Sequence, residues 1–247
     1  MENYKADVHI HSSYSFDSDL PIKTIIEREK ELGNDVIAIT DHVEFAKKNI
    51  LQTVNSLAKR EKEIRKYEQG KDILVIRGVE ISEPHLYKEY VEFLRNMYGI
   101  EYIIGSIHHI NGKSFRYNKD AVDDYLRLML DMVTYGDMDT LAHMDYIKKY
   151  GTKRNLDKSL IDEILTTIIA RGITLEINSS GYRRCGSPFP SVEILERYID
   201  LGGSNVVIGS DAHQKSELYD GVKQACEDIK ELKLNKGVIV NKQFKSI

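Results

Sequence analysis

Short runs of Ile and Val recur along the whole chain with helical segments between them. This alternation constrains the fold more than any other feature. The runs are Val8–Ile10, Val36–Ile39, Ile73–Ile76, Tyr102–Ile107, Met138–Ala142, Ile173–Ile177 and Val206–Ile208. Each is of strand length and mostly lacks polar alternation, as expected of strands covered on both faces. Between them, Ile22–Leu32, Val122–Val133, Leu160–Ile169 and Val192–Ile199 carry apolar residues at helical spacing. Glycines at 33, 70, 99, 136, 172 and 202 follow helical segments, where a left-handed residue is wanted. Pro21 and Pro84 suit first turns, while Asn155 and Ser191 suit N-caps. The strand starts lie about 30 residues apart, the size of one βα unit. Seven such units predict an α/β fold, a (β/α)7 barrel with a parallel sheet, with an open doubly wound sheet as the alternative. Gly237–Asn241 is expected to add a small terminal strand. No linker or composition break divides residues 1–247, which predicts a single domain.

Composition narrows the function classes. A chain of 247 residues with 41% hydrophobic residues can bury a sizeable core without staples. The net charge of −4 argues against nucleic acid or an anionic membrane bound through bulk charge. No apolar run approaches the roughly 20 residues needed to span a bilayer. The first residues show no basic stretch followed by an apolar one, so a cytoplasmic location is expected. Cys185 and Cys226 are too few for a disulfide framework or a thiolate zinc cluster.

The eight histidines carry the chemistry. Nearly all stand at or just beyond the C-terminal ends of the proposed strands, the face that holds active sites in parallel barrels. His9 and His11 are two apart and project to one face of a strand. The second unit ends in Asp41-His42, the third in Glu80, the fifth in His143, and the seventh in Asp211-Ala212-His213. Glu80 closes an apolar run where an unpaired carboxylate would be costly, although Arg77 could pair with it. His108 and His109 should point oppositely if both lie on a strand, making His108 a ligand and His109 a packing neighbour. Asp17 lies in a Ser/Asp-rich loop that could equally be a capping segment, with Asp19 as the cap. A cluster of imidazoles and carboxylates without thiolate suits Zn, Mn or Fe, and so many candidates exceed one tetrahedral ion. Two or three divalent ions are implied.

The segments His9-Ile10-His11, Thr40-Asp41-His42, Gly78-Val79-Glu80, Ser106-Ile107-His108, Ala142-His143 and Gly209-Ser210-Asp211-Ala212-His213 resemble the motifs of the PHP (polymerase and histidinol phosphatase) family. The likeness spans almost the whole chain. The stretches around His143–Gly151, Glu176–Arg183, Pro190–Leu195 and Leu201–Gly203 look most like the histidinol-phosphate phosphatases. The resemblance implies a distorted seven-stranded barrel and three ions. One would be held by His9, His11, Glu80 and Asp211, a second by Glu80, His108 and His143, and a third by Asp17, His42 and His213. Lys149-Tyr150 departs from the Arg-Tyr common in similar proteins.

The implied activity is hydrolysis of a small phosphate monoester, most simply L-histidinol phosphate in histidine biosynthesis. Paired ions lower the pKa of water and neutralise phosphoryl oxygens during in-line displacement. The departing alcohol needs a proton, for which Asp211, His213 or a bound water are candidates. Arg183 is expected to clamp the phosphate, and Glu83 to meet the amine or imidazole, although it could simply be an acidic first turn. The expected partner is a small phosphorylated metabolite. Alternatives are a PHP phosphoesterase acting on phosphotyrosine or a nucleotide phosphodiester, a non-catalytic PHP module, and a metal-dependent amidohydrolase.

Overall fold

The computed structural model describes residues 4–45, 50–67, 72–110, 113–114, 121–152 and 154–247. The expected parallel strands form: β1 (Ala6–Ile10), β2 (Val36–Ile39), β3 (His42–Val43), β4 (Leu74–Ser82) and β5 (Tyr102–Ser106). After a small antiparallel hairpin, β6 (His109–Ile110) with β7 (Lys113–Ser114), come β8 (Thr140–Leu141), β9 (Thr174–Asn178) and β10 (Asn205–Gly209). The chain ends in an antiparallel hairpin of β11 (Asn235–Val240) and β12 (Gln243–Ser246). The main sheet runs β1-β2-β4-β5-β8-β9-β10-β11-β12, with β3 also on β4, and is parallel up to β11.

The helices α1 (Ile22–Leu32), α2 (Ile50–Ile64), α3 (Lys88–Tyr98), α4 (Val122–Tyr135), α5 (Lys158–Arg171), α6 (Ser180–Cys185), α7 (Val192–Asp200) and α8 (Val222–Asp228) lie between the strands. The helix expected over 22–32 is α1 itself, and it buries Ile22, Ile25 and Ile26 against Ile10, Ile37 and Ile39. Each such side chain contributes about 1.5–3 kcal/mol of burial. Several caps differ from expectation. Pro21 sits at the N-cap of α1 rather than inside its first turn. α5 is capped by Asp157, which accepts from Ser159 N and Leu160 N, so Asn155 is not its cap. Ser191 is the N-cap residue of α7, but its hydroxyl makes no capping bond. Gly33, Gly99 and Gly172 are left-handed as expected, whereas Gly136 is extended. Gly70 lies outside the described residues.

The α/β class and the parallel order hold, while the sheet has more strands than the seven units counted and is not closed by a ladder. The main sheet has ten strands, and no continuous ladder joins its two ends. β11 pairs with β10 at Asn205 and Val206, the strand's N-terminal end, and keeps β1 from pairing there. Beyond β10 the chain meets β1 only through Asp211 N to His9 O (2.8 Å), His11 N to Ala212 O (2.9 Å) and the Ile10–Ala212 bridge. Side chains seal the rest of this seam. The Asp7 carboxylate accepts from Ser210 N (2.8 Å) and Tyr219 N (3.0 Å). The Tyr4 hydroxyl accepts from Ile208 N (3.1 Å) and donates to Gly237 O (3.1 Å). Buried backbone groups are therefore satisfied without a ladder, as their desolvation demands. No helix among the described residues is long and apolar enough to cross a membrane.

Glu29, on the core face of α1, tests the electrostatics of this packing. It is buried with Asn34 Nδ2 donating to one carboxylate oxygen. Burial, reinforced by nearby Asp7, pushes its pKa up to about 8. The folded pKa lies above the unfolded one, so the native state loses stability as pH rises from about 4.5 through 8. Glu29→Gln is expected to match wild type in urea unfolding near pH 4.5 and to be the more stable protein at pH 8. A gap that does not widen with pH would contradict this.

Candidate metal centre

Glu80 is the hub of the site. It stands near the end of β4 with 1% of its side chain exposed, and five histidines surround its two oxygens. Oε2 lies 2.9 Å from His42 Nδ1 and 3.5 Å from both His9 Nε2 and His11 Nε2. Oε1 lies 3.0 Å from His143 Nε2 and 3.3 Å from His108 Nε2. Asp211 Oδ1 approaches His11 Nε2 at 3.3 Å and His9 Nε2 at 3.7 Å. Asp17 Oδ2 lies between His213 Nε2 (3.3 Å) and His42 Nε2 (3.4 Å). All nine residues singled out in the sequence thus meet at one end of the sheet. Arg77, the alternative partner for Glu80, instead bonds Glu101 at 2.8 Å.

Three donor sets whose ligating atoms lie within 4.8 Å of one another overlap the implied ligand groups without reproducing all of them: His9, His11 and Glu80, without Asp211; Glu80, His108 and His143; and His11, His42 and His213. In the last, His11 takes the place that the resemblance gave to Asp17. A fourth set joins His42, Glu44 and His108.

The electrostatics explain why such a cluster wants cations. Burial opposes ionisation of Glu80, yet His108, His42 and His9 hold it well below the usual carboxylate range. Burial likewise pulls His42 down, but Glu80 and Asp17 outweigh it and push the imidazole up to about 10. His11 goes the other way, to about 3, through burial and the neighbouring His42 and His213. Glu80 Oε2 and His143 Nδ1 are buried without a hydrogen bond of good geometry. Imidazole nitrogens and carboxylate oxygens with orphaned lone pairs are the donor set of Zn, Mn or Fe.

The far nitrogens are anchored, as ligating histidines usually are. His9 Nδ1 lies 2.5 Å from Glu176 Oε1, whose other oxygen accepts from His143 N (2.9 Å) and Asn178 Nδ2 (3.2 Å). Gly209 is required here, since a Cβ would lie 2.4 Å from His9 Cβ and 3.0 Å from Glu176 Oε1. His108 Nδ1 faces Glu44 Oε1 at 3.3 Å, and His213 Nδ1 faces the Asp211 carbonyl at 3.0 Å. Asp211 itself has φ 54°, a left-handed conformation that a carboxamide or carboxylate residue tolerates better than most. Sequence reasoning missed Glu176 and Glu44. Glu176 was visible by the logic applied to Glu80, a carboxylate within an apolar strand.

Above the cluster opens a cavity of about 400 Å³ whose wall includes Phe16, Tyr146, Lys149, Arg183, Arg184 and Glu217. Three expectations change here. His108 is not on β5, which ends at Ser106, so strand alternation does not separate it from His109. His109 begins the β6 hairpin and also lines the cavity. Arg183 lies on α6 rather than a loop, and its guanidinium donates to Ser210 O (2.8 Å) and Asp220 Oδ2 (3.3 Å). It braces the segment carrying Asp211 instead of projecting freely toward a phosphate, while exposed Arg184 borders the cavity. Glu83 is buried, with φ 57°, at the start of a short 3-10 turn and does not line the cavity. A wider groove of about 760 Å³ beside α5 and α7 holds cations already paired to carboxylates, among them Arg197 with Asp162 at 2.7 Å.

Residues 7–180 match the family model of the PHP domain. The chain belongs to the PHP family. It is 31% identical over 232 residues to a protein of Thermotoga maritima named "Probable histidinol-phosphatase", covering 91% of both chains. It is 32% identical over 239 residues to one of the same name from Clostridium acetobutylicum, covering 89% of this chain and 90% of the other. Its fold resembles the crystal structure of histidinol phosphate phosphatase from Lactococcus lactis in complex with zinc, L-histidinol and phosphate. The TM-score is 0.80 at 20% identity, over 98% of this chain and 99% of that one.

Three substitutions test the hub. Glu80→Gln is expected to be among the most damaging changes to metal content, because a neutral amide is a poor bridge between cations. Elemental analysis of the purified variant checks it, and wild-type stoichiometry would contradict it. His108→Ala is expected to lose metal and activity, whereas His109→Ala keeps the metal. The reverse pattern would show that His109 is the ligand.

Proposed function

We propose that this PHP-family chain is a metal-dependent phosphatase that hydrolyses L-histidinol phosphate to L-histidinol and phosphate. The observation that carries it is the set of nine imidazoles and carboxylates centred on Glu80, at the floor of a cavity whose wall carries Lys149, Arg183 and Arg184. Two relatives above 30% identity bear the name histidinol-phosphatase over nine-tenths of their length. The barrel belongs to the same proposal, as a distorted one whose seam is sealed by Asp7 and Tyr4, with residues 1–247 forming one domain.

The ligands are His9, His11, Glu80 and Asp211 for one ion, Glu80, His108 and His143 for a second, and Asp17, His42 and His213 for a third. Bound divalent ions would activate water and neutralise the phosphoryl oxygens. The chain's own groups do the remaining work. Lys149 and Arg184 border the cavity and supply positive charge to it. Lys149 packs its Nζ 4.4 Å from the centroid of the Tyr146 ring. The Tyr146 ring lies 4.5 Å from that of His143 and forms an aromatic wall suited to an imidazole. Glu217, on the opposite wall, replaces Glu83 as the acidic partner for the substrate amine. Asp211 and His213 line the cavity beside the departing alkoxide, whose proton would come from a bound water, because, against its burial, His9, His11 and His213 keep the Asp211 carboxyl ionised. Arg183 holds their backbone in place. A small phosphorylated metabolite is the only partner the site needs, and the enzyme works in the cytoplasm without membrane or nucleic acid.

Steady-state phosphate release from L-histidinol phosphate, phosphotyrosine and a nucleotide phosphodiester tests the assignment. Histidinol phosphate is expected to have the highest kcat/KM by at least tenfold. Preference for either other substrate would move the chain to another PHP branch. Lys149→Ala is expected to raise KM for histidinol phosphate about tenfold, the cost of about 1.4 kcal/mol of charge-assisted contact, with metal content unchanged. An unchanged KM would return Lys149 to the surface.

A further inference from the structure

Arg60 is a fully buried arginine on α2, with 0% of its side chain exposed, in a helix that contributes no residue to the metal cluster. Burying a guanidinium is costly unless its donors are satisfied. Here they are. Nε donates to Asp41 Oδ2 at 2.6 Å, and one terminal nitrogen donates to Glu61 Oε1. The other terminal nitrogen donates to the carbonyls of Ile39 and Gly78, tying the ends of β2 and the middle of β4 together.

The partner Asp41 connects this arginine to the cluster. Asp41 is buried, and its Oδ1 accepts from Ser12 N (2.6 Å), Ser12 Oγ (2.9 Å) and Ser15 Oγ (2.9 Å). Arg60 Nε donates to Asp41 Oδ2 and the Ser12 amide donates to Oδ1, so the carboxylate acts only as an acceptor. A hydroxyl has one proton and two lone pairs. Ser15 spends its proton on Asp41, so both of its other contacts must donate to it. One is His42 N–H at 3.0 Å, and the other is His11 Nδ1 at 3.1 Å. His11 therefore carries its proton on Nδ1. Its Nε2 lone pair is left facing Glu80 and Asp211, the orientation a metal ligand needs.

We infer that Arg60 is a positioning residue for the metal centre, acting through Asp41 and Ser15 to fix the tautomer of His11 and the backbone of His42. The inference rests on the metal-dependent phosphatase proposed above. Arg60 touches neither substrate nor ion. Removing it leaves the Asp41 carboxylate without its Nε donor and free to turn away from Ser15. Ser15 is then released from its single donor role, and His11 can place its proton on Nε2, where it blocks ligation.

The test compares wild type, Ser15→Ala and Arg60→Met for zinc affinity by chelator competition. It also compares the tautomer of His11 in metal-free protein, read from imidazole ¹⁵N shifts. Both variants are expected to bind zinc 10- to 100-fold more weakly, the usual effect of removing a ligand's outer partner. Both are also expected to move His11 from the Nδ1–H form to a mixture. A merely structural Arg60 would lower the melting temperature and leave both readouts at their wild-type values, which overturns the inference. If Arg60→Met does not fold, Arg60→Lys decides. It keeps the charge without the fork and is expected to show a smaller loss of the same kind, and wild-type affinity in that variant also overturns the inference. Wild type that binds no zinc, manganese or iron would instead defeat the functional proposal.

Discussion

A single carboxylate, buried and ringed by five imidazoles, is the constraint on which the rest of this protein depends. Glu80 sits in a strand whose neighbours are Val79 and Ile81, both fully buried, so its charge has no access to solvent. An uncompensated carboxylate there would cost several kcal/mol. The chain meets that cost by bringing five histidines from four separate segments to its two oxygens. Those segments are far apart in sequence, so the order of the strands that carry them must form before Glu80 is satisfied. The chemistry of the site and the topology of the fold are therefore the same problem. A strand out of order would leave both the charge and the ligands unpaired.

The seam between β1 and β10 shows how the fold is fitted to this end of the molecule. Among the described residues, backbone pairing across it occurs at His9–His11 and Asp211–Ala212, where the candidate ligands stand. Lower down, Asp7 and Tyr4 replace the ladder with side-chain bonds. The result places Asp211 within 3.7 Å of both histidines of β1 and its continuation. It also lets the terminal hairpin lie against the opposite end of β10. Outside the cluster, Glu176, Glu44 and Ser15 each face the far nitrogen of one histidine, so orientation is built in from the second rank of side chains.

The sequence showed the strands, the α1 helix and all nine candidate ligands, for one physical reason. Parallel strands read as unbroken apolar runs, and a His, Asp or Glu ending such a run is conspicuous because burial makes it expensive. Glu176 obeys the same rule but stands inside its strand, without a histidine beside it, and was not assigned a role. Glu44, Ser15 and Arg60 could not be assigned, since their parts depend on which segments pack together. Asp41 was quoted only within its motif. Arg183 was placed on the right face, but its engagement with Ser210 and Asp220 is a tertiary fact. The extra strands and the unladdered seam were not legible, because counting units does not show where a terminal hairpin will dock.

The most direct measurement is anomalous diffraction from crystals of the catalytically active protein, collected at the zinc, iron and manganese edges. At least two ion peaks are expected within coordination distance of the Glu80 carboxylate, one on each oxygen, with the histidine Nε2 atoms of His9 and His11 on one side and of His108 and His143 on the other. Active crystals with no ion touching Glu80 would contradict the account.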